Sequence, residues 1–161
     1  MPGLSKGKTD PAAPCTTRDE KVHELTLLAH HYLEAPTEPS EQRLVDLARA
    51  GELLPDWDEE WLAPERERVR QLRLHALERF GERMADEGRY ARAVEVCLAL
   101  VADDPLRESA RRVLIRAHAG EGNLHEALVQ YRTYREVMRS ELDIGPSPQM
   151  EALVLELGIC G

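Results

Sequence analysis

Two segments, Gly88-Arg89-Tyr90-Ala91-Arg92-Ala93-Val94 and Gly122-Asn123-Leu124-His125-Glu126-Ala127-Leu128, stand 34 residues apart and share one pattern. In each, glycine is followed two places on by a large residue and five places on by alanine. A fixed period of that size marks stacked helical hairpins. The pattern has a physical reason. Glycine closes the first helix of a hairpin at no steric cost in the left-handed region. Alanine lets the second helix lie close against the first. Ala93 and Ala127 are therefore expected at the closest helix approach of their hairpins.

This arrangement resembles the tetratricopeptide repeat. With Ala93 at the small position of the second helix, Gly81 falls at the small position of the first helix, Gly88 at the turn and Pro105 at the closing proline. The second copy keeps Gly122, Ala127 and Tyr131, but has Ile115 and Arg139 where the first has Gly81 and Pro105. That copy is expected to be distorted or terminal. The resemblance implies an all-α, tetratricopeptide-like stack of about three antiparallel helical hairpins with a C-terminal capping helix. It names an architecture for contacting partners and does not name a partner.

Composition agrees. A chain of 161 residues can bury the core of one domain. Leu, Ala, Glu and Arg dominate and Phe occurs once, a mix that favours helices over strands. The formal net charge of −9 argues against a nucleic-acid surface, which needs a basic face. Cys15, Cys97 and Cys160 are an odd, widely spaced set, which suits reduced thiols and a cytoplasmic location better than a disulfide frame. No run is long and apolar enough to span a membrane, and no apolar signal core follows Lys6 and Lys8.

Residues 1–17 are rich in Pro, Gly, Lys and Thr without periodicity, and read as a disordered tail. Gly3 to Thr9 imitates a phosphate loop. It is one residue short, follows no strand and runs into Asp10-Pro11, so it reads as solvated tail. The helical domain is expected over 18–161. Helix one is expected from about Arg18 to Glu34, with Val22, Leu25, Leu28 and Tyr32 on one face. A short helix follows from Ser40 to Arg49, stopped by Gly51. A long helix runs from near Pro64 to about Glu87, with Val69, Leu72, Ala76, Phe80 and Met84 as its apolar stripe. Further helices are expected over Tyr90–Ala102, Leu106–Gly120 and Leu124–Leu142. Ser147 and Pro148 open a last one, to about Leu157, that covers the open end of the stack.

A second resemblance is more specific. Gly51-Glu52-Leu53-Leu54-Pro55-Asp56-Trp57, then Trp61, Glu65-Arg66-Glu67-Arg68 and Gln71-Leu72-Arg73-Leu74 come first. Gly88-Arg89-Tyr90, Asp104-Pro105-Leu106-Arg107-Glu108, Gln130-Tyr131 and Glu141-Leu142-Asp143-Ile144-Gly145-Pro146-Ser147-Pro148 follow in order. Together they resemble the bacterial transcriptional activator domain of SARP-type antibiotic-pathway regulators. The resemblance implies transcription regulation. In that family a winged-helix DNA-binding domain precedes the module. The tail ahead of helix one is too short for such a domain, so the chain is expected to act without its own DNA reader. Protein partners are then expected, a DNA-bound regulator or RNA polymerase among them, with no direct specific nucleic-acid binding. A homo-oligomer is compatible with the pattern. The competing reading is a generic helical-repeat scaffold or adaptor unrelated to transcription.

The tetratricopeptide alignment carries the concave-groove positions to His75, Glu78 and Glu82 in the first repeat and to Ser109, Arg112 and Arg116 in the second. A groove with acidic and basic ends would suit a peptide or helix of mixed charge. Trp57 and Trp61 lie one turn apart in an acidic segment. They read as a staple packing the short helix onto the long one, with an aromatic partner anchor as the other reading. Residues 34–67 carry eleven acids against three arginines, a local net of minus eight. Such a face is solvated or meets a basic partner. Arg66, Arg68, Arg70, Arg73, Arg111, Arg112 and Arg116 are interleaved with glutamates, so intrahelical pairing is expected. The six histidines and three cysteines lack zinc-ligand spacing, and no cofactor or metal is expected. No nucleophile elbow, dinucleotide fingerprint or singled-out carboxylate pair points to an enzyme.

Overall fold

The computed structural model describes residues 16–34 and 63–159. Six helices fill them: α1 (Thr16–Glu34), α2 (Ala63–Asp86), α3 (Tyr90–Asp103), α4 (Glu108–Gly120), α5 (Leu124–Leu142) and α6 (Pro148–Glu156). No strand occurs among the described residues, and the all-α stack read from the sequence is the fold observed. The Ser40–Arg49 helix, Trp57, Trp61, Cys15, Cys160, the Gly3–Thr9 fragment and most of the acidic 34–67 stretch lie outside the described residues.

α2 with α3 and α4 with α5 are the two hairpins that the 34-residue echo marks. Both turns have the same construction. Gly88 and Gly122 sit at φ 74° and φ 80°. Beside them, the Arg89 N–H reaches the Met84 carbonyl at 2.8 Å and the Asn123 N–H reaches the His118 carbonyl at 2.8 Å. These bonds satisfy carbonyls that the helix end leaves free, and only glycine adopts that backbone without strain. α6 ends in the same way. Gly158 has φ 66°, and the Ile159 N–H bonds to the Val154 carbonyl at 3.2 Å.

Apolar spacing decides which face of each helix is buried. Val69, Leu74, Ala76, Leu77, Phe80 and Met84 of α2 are buried, with Leu72 half-buried. All of these but Val69 join Ala93, Val96, Cys97 and Leu100 of α3 and Ala110, Val113, Leu114 and Ala117 of α4 in one core. α1 closes its near end through Ala29 and Tyr32, whose ring meets Phe80 edge-on at 6.2 Å. Burying one such Leu or Phe contributes about 1.5–3 kcal/mol. Helix propensity differences stay under about 1 kcal/mol per residue, so packing fixes these helices in place.

Gly81 stands where three helices meet. A Cβ there would lie 2.9 Å from Cys97 Sγ on α3 and 3.8 Å from Val113 Cγ1 on α4. Gly120 has a comparable neighbour, the Tyr90 ring, whose nearest atom would be 2.4 Å from an added Cβ. The second repeat differs because Ile115 replaces Gly81. Ile115 is fully buried in a second core with Ala127, Tyr131, Tyr134 and Met138 of α5, Met150 and Val154 of α6, and Ile159. A bulky residue fits here because α6 follows as a single short helix, so this repeat is the terminal one among the described residues.

Element ends depart from the sequence reading by small, explicable amounts. α1 starts at Thr16, two residues before Arg18. α4 starts at Glu108 instead of Leu106, because the Arg107 N–H bonds back to the Asp104 carbonyl at 3.1 Å and extends the loop. At α6 the reading holds: Ser147 caps the helix, its Oγ accepting from the Met150 N–H at 3.3 Å, and Pro148 is the first helical residue.

Candidate partner-binding groove

α2 and α4, the first helices of the two hairpins, carry the six groove candidates. Exposed carboxylates and guanidiniums ought to point into solvent there, yet most are held by neighbours. Arg107 Nε donates to Glu78 Oε2 at 2.7 Å, and both side chains are largely buried. Arg116 Nη2 reaches Asp86 Oδ1 at 3.0 Å, tying α4 to α2. Arg112 Nη1 donates to Glu108 Oε1 at 2.7 Å, and Glu82 faces Arg79 at 3.7 Å. His75 is exposed and Ser109 half-buried, and no side-chain hydrogen bond or ion pair joins either one to this group.

The charges of three of the six act on one buried thiol. Cys97 lies beneath Gly81 and is fully buried. Burial pushes its thiol up to about 12; Glu78 and Glu82 raise it further, and Arg116 works against them. One buried sulfur thus feels two candidate acids from α2 and one candidate base from α4. Such a thiol has almost no thiolate at neutral pH. Alkylation by iodoacetamide, read at the Cys97 peptide by mass spectrometry, should be negligible in the native protein and rapid in urea. Rapid native labelling at Cys97 would refute this burial.

The arginines correct one expectation. Intrahelical pairing holds for Arg112, and for Arg70 with Glu67 at 3.6 Å. Arg73 instead pairs with Asp103, across to the end of α3. The reason is its position: Val69 and Leu77, one turn to either side, are apolar, so no acid stands within helical reach. Arg70 also bonds the Asp103 carbonyl, at 3.4 Å. Arg111 is buried, donates to Gln130 at 2.6 Å and lies over the Tyr134 ring.

Sequence reasoning passed over the most connected side chain. Glu108 opens α4 and gathers the turn before α6. Its carboxylate accepts from Ser147 Oγ, from the Ser147 N–H at 2.9 Å, from Tyr134 Oη at 3.2 Å and from Arg112. Burial alone would raise this carboxyl. The bonds from Ser147, Tyr134 and Arg112 outweigh burial and hold it below the ordinary carboxylate value. The same contact, after burial, pushes the Tyr134 phenol up to about 12. Ser147 serves both sides, donating to Glu108 and accepting from the Met150 N–H. Glu108 and Ser147 are 39 residues apart. No periodic pattern links residues at that distance. The only hint was that both fall in signature segments.

No cluster of His, Cys, Asp and Glu able to hold a metal occurs among the described residues, and none of their helices is long and apolar enough to cross a membrane. Two comparisons place the chain among known proteins. The family model described as the bacterial transcriptional activator domain matches residues 43–157. Regulatory protein AfsR of Streptomyces coelicolor is 35% identical over 120 residues, covering 67% of this chain and 12% of AfsR. Regulatory protein AfsR of Streptomyces griseus is 33% identical over 105 residues, covering 60% of this chain and 11% of that protein. The match thus spans about an eighth of the length of these relatives.

Proposed function

The chain belongs to the bacterial transcriptional activator domain family, and from that membership we propose that it regulates transcription by contacting proteins, without chemistry of its own. The relatives that share its sequence are regulatory proteins by name. The observation that supports the contact role is the face shared by α2 and α4, where the charges of Glu78, Glu82 and Arg116 act on the Cys97 thiol beneath Gly81. Alternating charge there favours a peptide or helix of mixed charge over a uniform polyanion. A DNA-bound regulator or a subunit of RNA polymerase, met in the cytoplasm, is the partner this reading expects.

Direct reading of DNA is disfavoured by the charge balance. The net charge is −9, and Arg70, Arg73, Arg107, Arg112 and Arg116 are each engaged by carboxylates of the fold. Neutralising phosphates would need free cations on one face. In a gel shift at physiological salt, the purified chain should give no sequence-selective band that survives competitor DNA; such a band would overturn this part.

The contact role is tested by capture from the native cytosol. Polymerase subunits or a winged-helix regulator should be retained by the immobilised chain and lost with Glu82→Ala combined with Arg116→Ala. Equal retention by that variant would move the contact off this face.

A further inference from the structure

The 34-residue register lets the two hairpins be compared place by place, and their seams differ in kind. In the first, Leu74, Leu77 and Met84 of α2 are buried in one core with Val96 and Leu100 of α3. One period on, the same places hold Glu108, Arg111 and His118 of α4 and Gln130 and Tyr134 of α5. Each of these places now carries a polar group. α2 therefore gives its hairpin a continuous apolar face, and α4 does not. From α4 the second core takes Ile115, with Ala119 half-buried against it. α5, α6 and Ile159 supply the rest.

The polar seam is incompletely paired. Arg111 is 5% exposed. Its Nη1 donates to Gln130 at 2.6 Å, and its guanidinium lies 6.0 Å from the centre of the Tyr134 ring. Its Nε is buried with no hydrogen-bond partner, and no carboxylate among the described residues comes within ion-pair distance. Burial holds this guanidinium below its usual value, and Tyr134 works against the shift. His118 Nδ1 is also buried with no hydrogen-bond partner, 3.9 Å from Glu121. A buried polar atom left unpaired loses its hydration and gains nothing in return, and a buried charge loses more. Opening the second hairpin gives these groups back to water. Opening the first gives back none at the matching places and exposes leucine, valine and methionine instead.

We propose that α5 and α6 form a conformational unit that opens away from α4 at the Gly122 turn while α1 to α4 stay folded. The Glu108–Ser147 contact is its latch, tying the start of α4 to the turn ahead of α6. The opened form bares Ile115, Tyr131 and Tyr134 and leaves Cys97 inside the first core. Elements that switch are drawn from the least stable part of a fold. A partner that holds the opened form then has only a small gap to offset.

Native-state hydrogen exchange on the full chain tests this, read by peptide mass spectrometry across a series of low urea concentrations. After correction for intrinsic rates, the amides of α5 and α6 should exchange about tenfold faster or more than those of α2 and α3. Arg111→Leu with Gln130→Val places the residues of the first seam in the second. That pair should slow exchange of α5 and α6 by about tenfold or more and leave α2 and α3 unchanged. Arg132→Gln, at an exposed place on α5, should change neither. If the double variant does not fold, the wild type still decides. Alkylation of Cys97 by iodoacetamide must stay slow at urea concentrations where α5 already exchanges by opening. A single opening shared by α2, α3, α5 and α6 would overturn the proposal. So would labelling of Cys97 in step with α5 exchange, or a folded double variant that slows all of these helices alike or none of them.

Discussion

Replacing Glu108 with alanine is expected to destabilise the protein by about 3 kcal/mol, although Glu108 lies outside both cores. The carboxylate accepts from Ser147 twice, from Tyr134 and from Arg112. Removing it strands the Ser147 and Tyr134 donors in a partly buried place, and each stranded donor costs about 1–3 kcal/mol. Arg112 is 35% exposed and adds little once screening by solvent is counted. Glu108→Gln retains one acceptor oxygen but brings an amide against the same donors, and should lose about half as much. Urea melts give both values, and a neutral Glu108→Ala would sink the account.

The same contact has a pH signature. The folded carboxyl titrates lower than it does unfolded, so its contribution is fully present above the unfolded value. It fades as pH falls through the folded value. The gap between wild type and Glu108→Gln should therefore be constant near neutrality and close in acid, below the ordinary carboxylate range. A gap that widened in acid would reverse the sign and exclude Glu108 as the source.

The second large effect belongs to Ala127. This residue is fully buried in the core shared by Ile115, Tyr131, Met150 and Val154. Ala127→Leu should overpack that core and cost about 1–3 kcal/mol. Its neighbour Glu126 is exposed and has no side-chain hydrogen bond or ion pair among the described residues. Glu126→Gln should stay within about 0.5 kcal/mol. A helix points adjacent residues about 100° apart, so the pair isolates direction from position. If Ala127→Leu melts like wild type, the space around α5 is looser than the burial implies.

These two cases also show what a sequence exposes and what it hides. Ala127 was legible because burial in a helix repeats, and Ala93 announces it one period earlier. Gly88 and Gly122 were legible for the same reason: a left-handed turn demands one residue type. Ile115 and Arg139 announced the terminal repeat by breaking the period. Glu108 was hidden, since its distant partners come from the middle of α5 and the turn before α6, and nothing periodic joins those places. Arg73 was misread because charge spacing along one helix ignores acids that the fold delivers from another. The groove candidates Glu78, Glu82 and Arg116 stand on α2 and α4. That Glu78 is already paired with Arg107 could be seen only in three dimensions.

The two cores have a consequence for how the chain is made. The first core is complete once Ala117 exists, and it draws on helices that follow one another along the chain. The second needs Met150, Val154 and Ile159, the last described residues to be synthesised. Contacts between successive helices close short loops, which is a fast route to structure. On the ribosome, the N-terminal core can therefore consolidate while α5 and α6 are still being made. α4 is the helix common to both, giving Leu114 to one and Ile115 to the other. Its inner half is packed early, and its outer half stays open until the last segment emerges. A nascent chain stalled before Met150 would expose Ile115, Tyr131 and Tyr134 together, which makes that interval the vulnerable one for premature association.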